Sequence, residues 1–109
     1  MAERYTSFEA FWPFYLSQHS NRTNRGLHLF GTSLAWVAAI GLCLRGAGAW
    51  APLCLVPAYA LAWVGHFVIE KNRPATFTYP AWSFRGDHRM LRLFLLGRLG
   101  NELVRNGLA

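Results

Sequence analysis

Three of the four histidines in this sequence, His19, His28 and His66, stand at the borders of long apolar runs. His19 and His28 bracket the stretch "HSNRTNRGLH", after which the chain turns apolar at Leu29, Phe30 and Gly31. His66 lies near the end of a second apolar run, and Glu70 follows four residues later, on the same face of a helix. Neutral imidazole is a ligand for zinc, copper, iron and nickel, and histidine with carboxylate and open positions is the donor set of non-haem iron oxygenases. Glu70 is the candidate catalytic carboxylate: it would ligate the ion or accept the second ring N–H of an imidazole and so orient it. Asn21 and Asn24 offer amide partners on the other wall. Spacing alone also admits a bland reading, in which single histidines at an interface are amphipathic anchors. Glu70 with Lys71 or Arg73 reads equally as a solvated ion pair. His88, in "RGDHRM", sits in a basic stretch where nothing forces it towards the others.

What could bring the three imidazoles together is a hairpin. Residues 27–44, "LHLFGTSLAWVAAIGLCL", and 50–69, "WAPLCLVPAYALAWVGHFVI", carry no formal charge. At about 18 to 20 residues each, they are long enough to cross the hydrocarbon core of a bilayer. "RGAGA" at 45–49 is the turn between them. His28 and His66 lie 19 residues either side of Ala47. At about 1.5 Å per residue both therefore stand roughly 28 Å from the turn, at one height on adjacent helices. His19 is a short linker upstream and can fold back to the same level. Ionisable groups at such positions mark function by default.

The flanking segments read as helices too. In residues 6–18, "TSFEAFWPFYLSQ", Thr6 and Glu9 have capping-box spacing. Phe8, Phe11, Trp12, Tyr15 and Leu16 recur at helical spacing, so the segment would lie in the interface or pack on the spans. Pro13 either kinks this helix or starts a second one. Pro52 falls in the first turn of the second run, and Pro57 is expected to bend it. Residues 70–89 read as a polar and aromatic loop with Pro74 and Pro80. A last helix is expected over 90–104, N-capped by Asp87, with Leu91, Leu95, Leu99 and Leu103 on one face. The fold class is an all-α membrane protein in one domain: a transmembrane helical hairpin, an N-terminal amphipathic helix and a C-terminal interfacial or packing helix.

Composition agrees with that class and argues against others. The 109 residues are 53% hydrophobic and 16% aromatic but only 15% charged, where a globular protein has about 25%. The net charge of +6 comes from arginines that flank apolar runs, unlike the polar basic face of a nucleic-acid binder. No nucleic-acid partner is expected. Basic residues before the first span and after the second outnumber Arg45 in the turn, which places both termini in the cytoplasm. The location implied is a bacterial inner membrane, or the endoplasmic reticulum in a eukaryote. Cys43 and Cys54 sit in apolar runs and read as buried packing residues. No signal peptide is evident. Two spans enclose little protected volume, so a homo-oligomer, most simply a dimer, is expected.

The pattern His19-x-Asn21-x-x-Asn24-x-x-x-His28-x-x-Gly31, followed by Gly65-His66-x-x-x-Glu70-x-x-x-Pro74-Ala75, resembles a known family. This is the small membrane-protein family that includes the fungal endoplasmic-reticulum 2-hydroxy fatty acid dioxygenase of phytosphingosine breakdown. The likeness covers roughly residues 15–75, with compact bacterial-type relatives sharing the tail. It implies iron(II)-dependent alpha-oxidation, in which a 2-hydroxy fatty acid and O2 give an acid one carbon shorter. It also implies His19, His28 and His66 as iron ligands, with zinc as a substitute in a crystal. Lys71 or Arg73, at headgroup level, would hold the substrate carboxylate while the acyl chain lies among the helices. A non-catalytic membrane adaptor or lipid-binding hairpin is the competing reading.

Overall fold

A computed structural model describes residues 4–108, and every regular element among them is helical. Helix α1 (Phe8–Ser17) starts after Ser7, whose extended backbone and hydroxyl cap the Ala10 N–H at 3.1 Å. The cap is therefore one residue beyond Thr6, and Glu9 is free to pair with Arg89 at 3.1 Å. Pro13 stays inside α1 on its exposed side and neither ends nor restarts the helix. Phe8, Phe11, Trp12, Tyr15 and Leu16 are all buried, so the periodicity names the right face. That face packs inward against Met90, Leu99, Leu103 and Ala75 rather than lying on a surface.

Helix α2 (Arg22–Leu44) is capped by Asn21, whose Oδ1 accepts from the N–H groups of Thr23 and Asn24 at 2.8 and 3.3 Å. Its 23 residues rise about 34 Å. The chain reverses at Gly46, where φ is +76°, and the Ala47 N–H closes the end of α2 on the Leu42 carbonyl at 2.8 Å. The return limb is one rod with three pitches: a 3₁₀ stretch (Gly48–Cys54), α3 (Leu55–Val64) and a π-helical turn (Gly65–Glu70). Pro57 occupies the first turn of α3, where an absent N–H leaves no bond broken. It falls just after the limb changes from 3₁₀ to α-helical pitch.

Both limbs, Arg22–Leu44 and Gly48–Glu70, are long and apolar enough to cross a membrane. They leave large side chains uncovered, among them Val37 (69% exposed), Leu44 (84%) and Val56 (64%). A soluble monomer rarely exposes so continuous an apolar surface. Cys43 is exposed, Cys54 is half-buried, and both are free thiols, so Cys43 is not the packing residue its apolar surroundings suggested.

Residues 70–89 are not the expected loop. Only a short 3₁₀ turn (Ala75–Phe77) and its flanks are irregular before α4 (Pro80–Leu95) begins, with Pro80 in the first turn where its fixed φ is an advantage. Asp87 consequently lies in mid-helix and caps nothing; its carboxylate accepts the Tyr15 hydroxyl at 2.5 Å. Gly97, with φ +71°, ends the run and sends α5 (Leu99–Arg105) off in a new direction. The four leucines therefore share no face: Leu99 and Leu103 are buried while Leu95 is exposed. Helices α1 and α4 approach so closely that a Cβ on Gly86 would lie 2.8 Å from the Tyr15 ring.

Candidate metal centre

The structure brings His19, His28 and His66 into one buried cluster, with 1%, 5% and 3% of their surfaces exposed. His19 comes from the link after α1, His28 from the second turn of α2 and His66 from the π-helical turn. Ring centroids are 4.3, 4.6 and 4.8 Å apart, and one nitrogen from each ring lies within 4.8 Å of the others.

Which nitrogens face inward follows from what holds the rings from behind. His19 Nδ1 is 2.6 Å from the Tyr15 carbonyl, and His28 Nδ1 is 3.0 Å from the Asn24 carbonyl. A carbonyl only accepts, so both Nδ1 atoms carry the proton. His66 Nδ1 donates to Asn72 Oδ1 at 2.7 Å; that amide is fixed because its Nδ2 donates to the Gln18 carbonyl at 3.1 Å. In the neutral rings each Nε2 is then a bare lone pair. His19 and His28 Nε2 stand 3.1 Å apart, a repulsive arrangement until something positive lies between them. Burial, and then the neighbouring His28 and His66 rings, hold the His19 pKa well below the usual histidine range. The cluster presents neutral nitrogen donors, which suits a borderline divalent ion. A cavity of about 10 Å³ beside the rings, bordered by Tyr59, Ser83 and Asp87, is the size of a single small occupant.

The backbone around His66 is shaped for this purpose. His66 is buried within the π-helical stretch, whose wider turn departs from the α-helical spacing of side chains. Lys71 then adopts a left-handed conformation (φ +57°), and the chain doubles back so that the Asn72 N–H reaches the His66 carbonyl at 2.9 Å. Gly65 lies against Asn24, and Gly31 lies against the Ala58 backbone on the facing helix.

The other residues singled out in the sequence have different tasks. Glu70 is not near enough to join the three nitrogens and orients no imidazole. It accepts from the Asn21 N–H, from Ser20 Oγ at 3.3 Å and from Asn24 Nδ2 at 3.5 Å, tying the start of α2 to the end of the return limb. The orienting group expected at Glu70 is Asn72. Asn21 caps α2, and Asn24 holds His28 through its main-chain carbonyl rather than its amide. Lys71 is exposed and Arg73 spreads over the Phe77 ring at 5.1 Å; neither borders the cavity at the histidines. His88 stands apart, donating from Nδ1 to the Phe84 carbonyl at 2.8 Å and accepting the Trp36 indole N–H at 2.7 Å.

Asp87 is the residue the sequence reading assigned to the wrong task altogether. Burial raises its pKa to about 7, against the opposing pull of the Tyr15 hydroxyl, and burial followed by Asp87 raises Tyr15 well above 10. A carboxyl whose folded pKa exceeds its unfolded value stabilises the fold fully below about pH 4, and that contribution is lost as pH climbs towards 7. At about 1.4 kcal/mol per unit, the loss is at most about 4 kcal/mol. Thermal unfolding followed between pH 5 and 8 should show the wild type losing stability relative to Asp87→Asn as pH rises, the difference between the two proteins isolating this carboxyl from every other titrating group; parallel profiles would refute the assignment.

An all-helical chain with two bilayer-length apolar limbs and a buried cluster of three inward-facing imidazoles defines a class: a small helical protein that can hold one metal ion at the end of a hairpin. The family described as 2-hydroxy-palmitic acid dioxygenase Mpo1-like matches residues 5–99, a stretch that includes all three histidines. The chain belongs to that Mpo1-like family, whose description implies a dioxygenase. No curated protein and no solved structure gives a significant match.

Proposed function

We propose that this protein is integral to a membrane and uses iron(II), held by His19, His28 and His66, to oxidise 2-hydroxy fatty acids with O2. The observation that carries the reading is the fixed tautomer of all three rings, which leaves an Nε2 lone pair on each, in a buried cluster where one nitrogen from each ring lies within 4.8 Å of the others. Bound iron(II) would supply Lewis acidity and electrons towards O2, with open positions left by a three-nitrogen donor set. The chain's own residues fix the donor geometry, shut bulk water out with the Tyr15 and Trp12 side of the core, and keep the imidazoles neutral. Lys71 and Arg73 place positive charge at the mouth of the hairpin, where an incoming carboxylate arrives. The exposed apolar limbs set the cluster at the edge of the hydrocarbon, which is where the head of an amphiphile presents itself.

The reaction balances without an external reductant. Conversion of R–CHOH–COOH to R–COOH and CO2 releases four electrons, and one O2 accepts them with water as co-product. The test is anaerobic loading of purified protein with iron(II), then O2 with 2-hydroxyhexadecanoic acid or with hexadecanoic acid. Pentadecanoic acid and CO2 should form in equal amounts from the hydroxy acid alone, matching the O2 consumed. O2 uptake with no shortened acid, or equal reaction of the acid lacking the hydroxyl, would sink the proposal.

A further inference from the structure

A second, larger cavity of about 300 Å³ opens beside the histidine cluster and runs between the two limbs of the hairpin. His28, Tyr59, Ala62 and Asp87 border both this groove and the small cavity at the cluster, so the two adjoin through a shared wall of four side chains. On α2 it is lined by His28, Thr32, Ala35, Trp36 and Ala39, one stripe of the helix, and small residues also line the return limb at Ala51, Ala58 and Ala62. The Trp36–His88 hydrogen bond ties α2 to α4 across its side. Its lining is mainly apolar, with polar groups at the end bordered by His28 and Asp87 and at Thr32, Tyr59 and His88.

Resting on the reading that a 2-hydroxy acid presents its head at the histidines, the geometry points to this groove as the seat of the acyl chain, with Ala39 marking the far end and so setting the chain length accepted. The dimensions agree. From His28, Ala35 lies about 10 Å and Ala39 about 16 Å along α2. A fully extended alkyl chain built of bonds of about 1.5 Å advances about 1.25 Å per carbon, so the groove takes roughly 13 carbons beyond the head. That is a long-chain acid and not a short one. Small side chains are what such a seat requires, since each larger one would fill the space a methylene needs.

Two measurements test it, one of them independent of turnover. Metal-free protein in lipid nanodiscs is exposed to 2-hydroxyhexadecanoic acid carrying a terminal photoreactive diazirine, and labelled residues are mapped by mass spectrometry. Labels should concentrate around Ala39 and the facing stretch Ala51 to Leu55. Labels spread over outward residues such as Val37 and Ile40 would overturn the proposal. In the iron-loaded protein, saturated 2-hydroxy acids from octanoic to octadecanoic are compared. Ala39→Phe should cut kcat/KM for the hexadecanoic acid at least tenfold while dodecanoic acid stays within about twofold; Ala35→Phe, one turn nearer the histidines, should shift the preference to shorter acids still. Ala38→Phe, on the exposed side of the same helix, should leave the profile as it is. Turnover with an unchanged length profile in both groove variants rejects the groove and keeps the dioxygenase. Labels at the groove end without any turnover reject the dioxygenase and keep the groove. If a phenylalanine variant fails to fold, the labelling map of the wild type decides alone.

Discussion

Alanine at His28 should leave the purified protein with less than about a tenth of the metal bound by the wild type. Two nitrogen donors remain, and Asp87, the carboxyl bordering the small cavity, does not group with them and is engaged by the Tyr15 hydroxyl. Removing a partner that only orients a ligand costs about 10- to 100-fold in metal affinity, so removing a ligand costs more. The readouts are elemental analysis and thermal unfolding with and without chelator. Metal bound to the native state alone stabilises it by mass action, so a chelator should lower the melting temperature of the wild type and leave that of His28→Ala unmoved. Asn72→Ala should fall between them, with metal retained but affinity reduced about 10- to 100-fold, since His66 would lose the acceptor that fixes its ring. Full metal content in His28→Ala would mean that the ion, if any, sits elsewhere.

Alanine at Gly65 should be nearly as damaging, although the position carries no functional group. A Cβ there would lie 1.9 Å from Asn24 Oδ1 and 2.8 Å from its Cγ. Asn24 cannot step aside. It has no exposed surface, its Nδ2 donates to the Gln18 carbonyl at 3.3 Å and its own carbonyl holds His28. Overpacking a tight contact costs typically about 1 to 3 kcal/mol, and here the displaced group also supports a candidate ligand. The expected result is a drop in stability of about 3 kcal/mol together with loss of metal. Gly26→Ala is the control: nothing lies within 4 Å of a Cβ at that helical position, so the same change should raise stability by up to about 1 kcal/mol. A Gly65→Ala protein as stable and as metal-rich as the wild type would show that Asn24 yields to the added methyl group.

The placement of His28 and His66 was legible because counting residues from a turn fixes height on two antiparallel helices, whatever their side chains do. The buried face of α1 was legible for a similar reason, since Phe8, Phe11, Trp12, Tyr15 and Leu16 obey the helical period. The assignment of Glu70 failed because it assumed that period held through residue 70. The π-helical turn and the left-handed Lys71 break it, and Asn72 takes the place behind His66 from six residues away. No pattern in the chain announces that turn. Asp87 was misread because Pro74 and Pro80 resemble loop punctuation, whereas Pro80 opens a helix. Its partner Tyr15 lies 72 residues away, a pairing that only the packing of α1 on α4 reveals. The break at Gly97 had the same effect on the leucine stripe, redirecting half of it.

The tightly packed part of this molecule is not the hairpin but the cap, where the first helix of the chain closes against its fourth and fifth. That arrangement dictates an order of assembly. Nothing synthesised before Met90 and Leu103 can complete the enclosure of Tyr15 and Leu16, so the packing behind His19 closes only after α4 and α5 have been made. A chain that stops short of α4 and α5 carries all three imidazoles but lacks the packed wall behind one of them, so firm loading with the ion awaits those two helices.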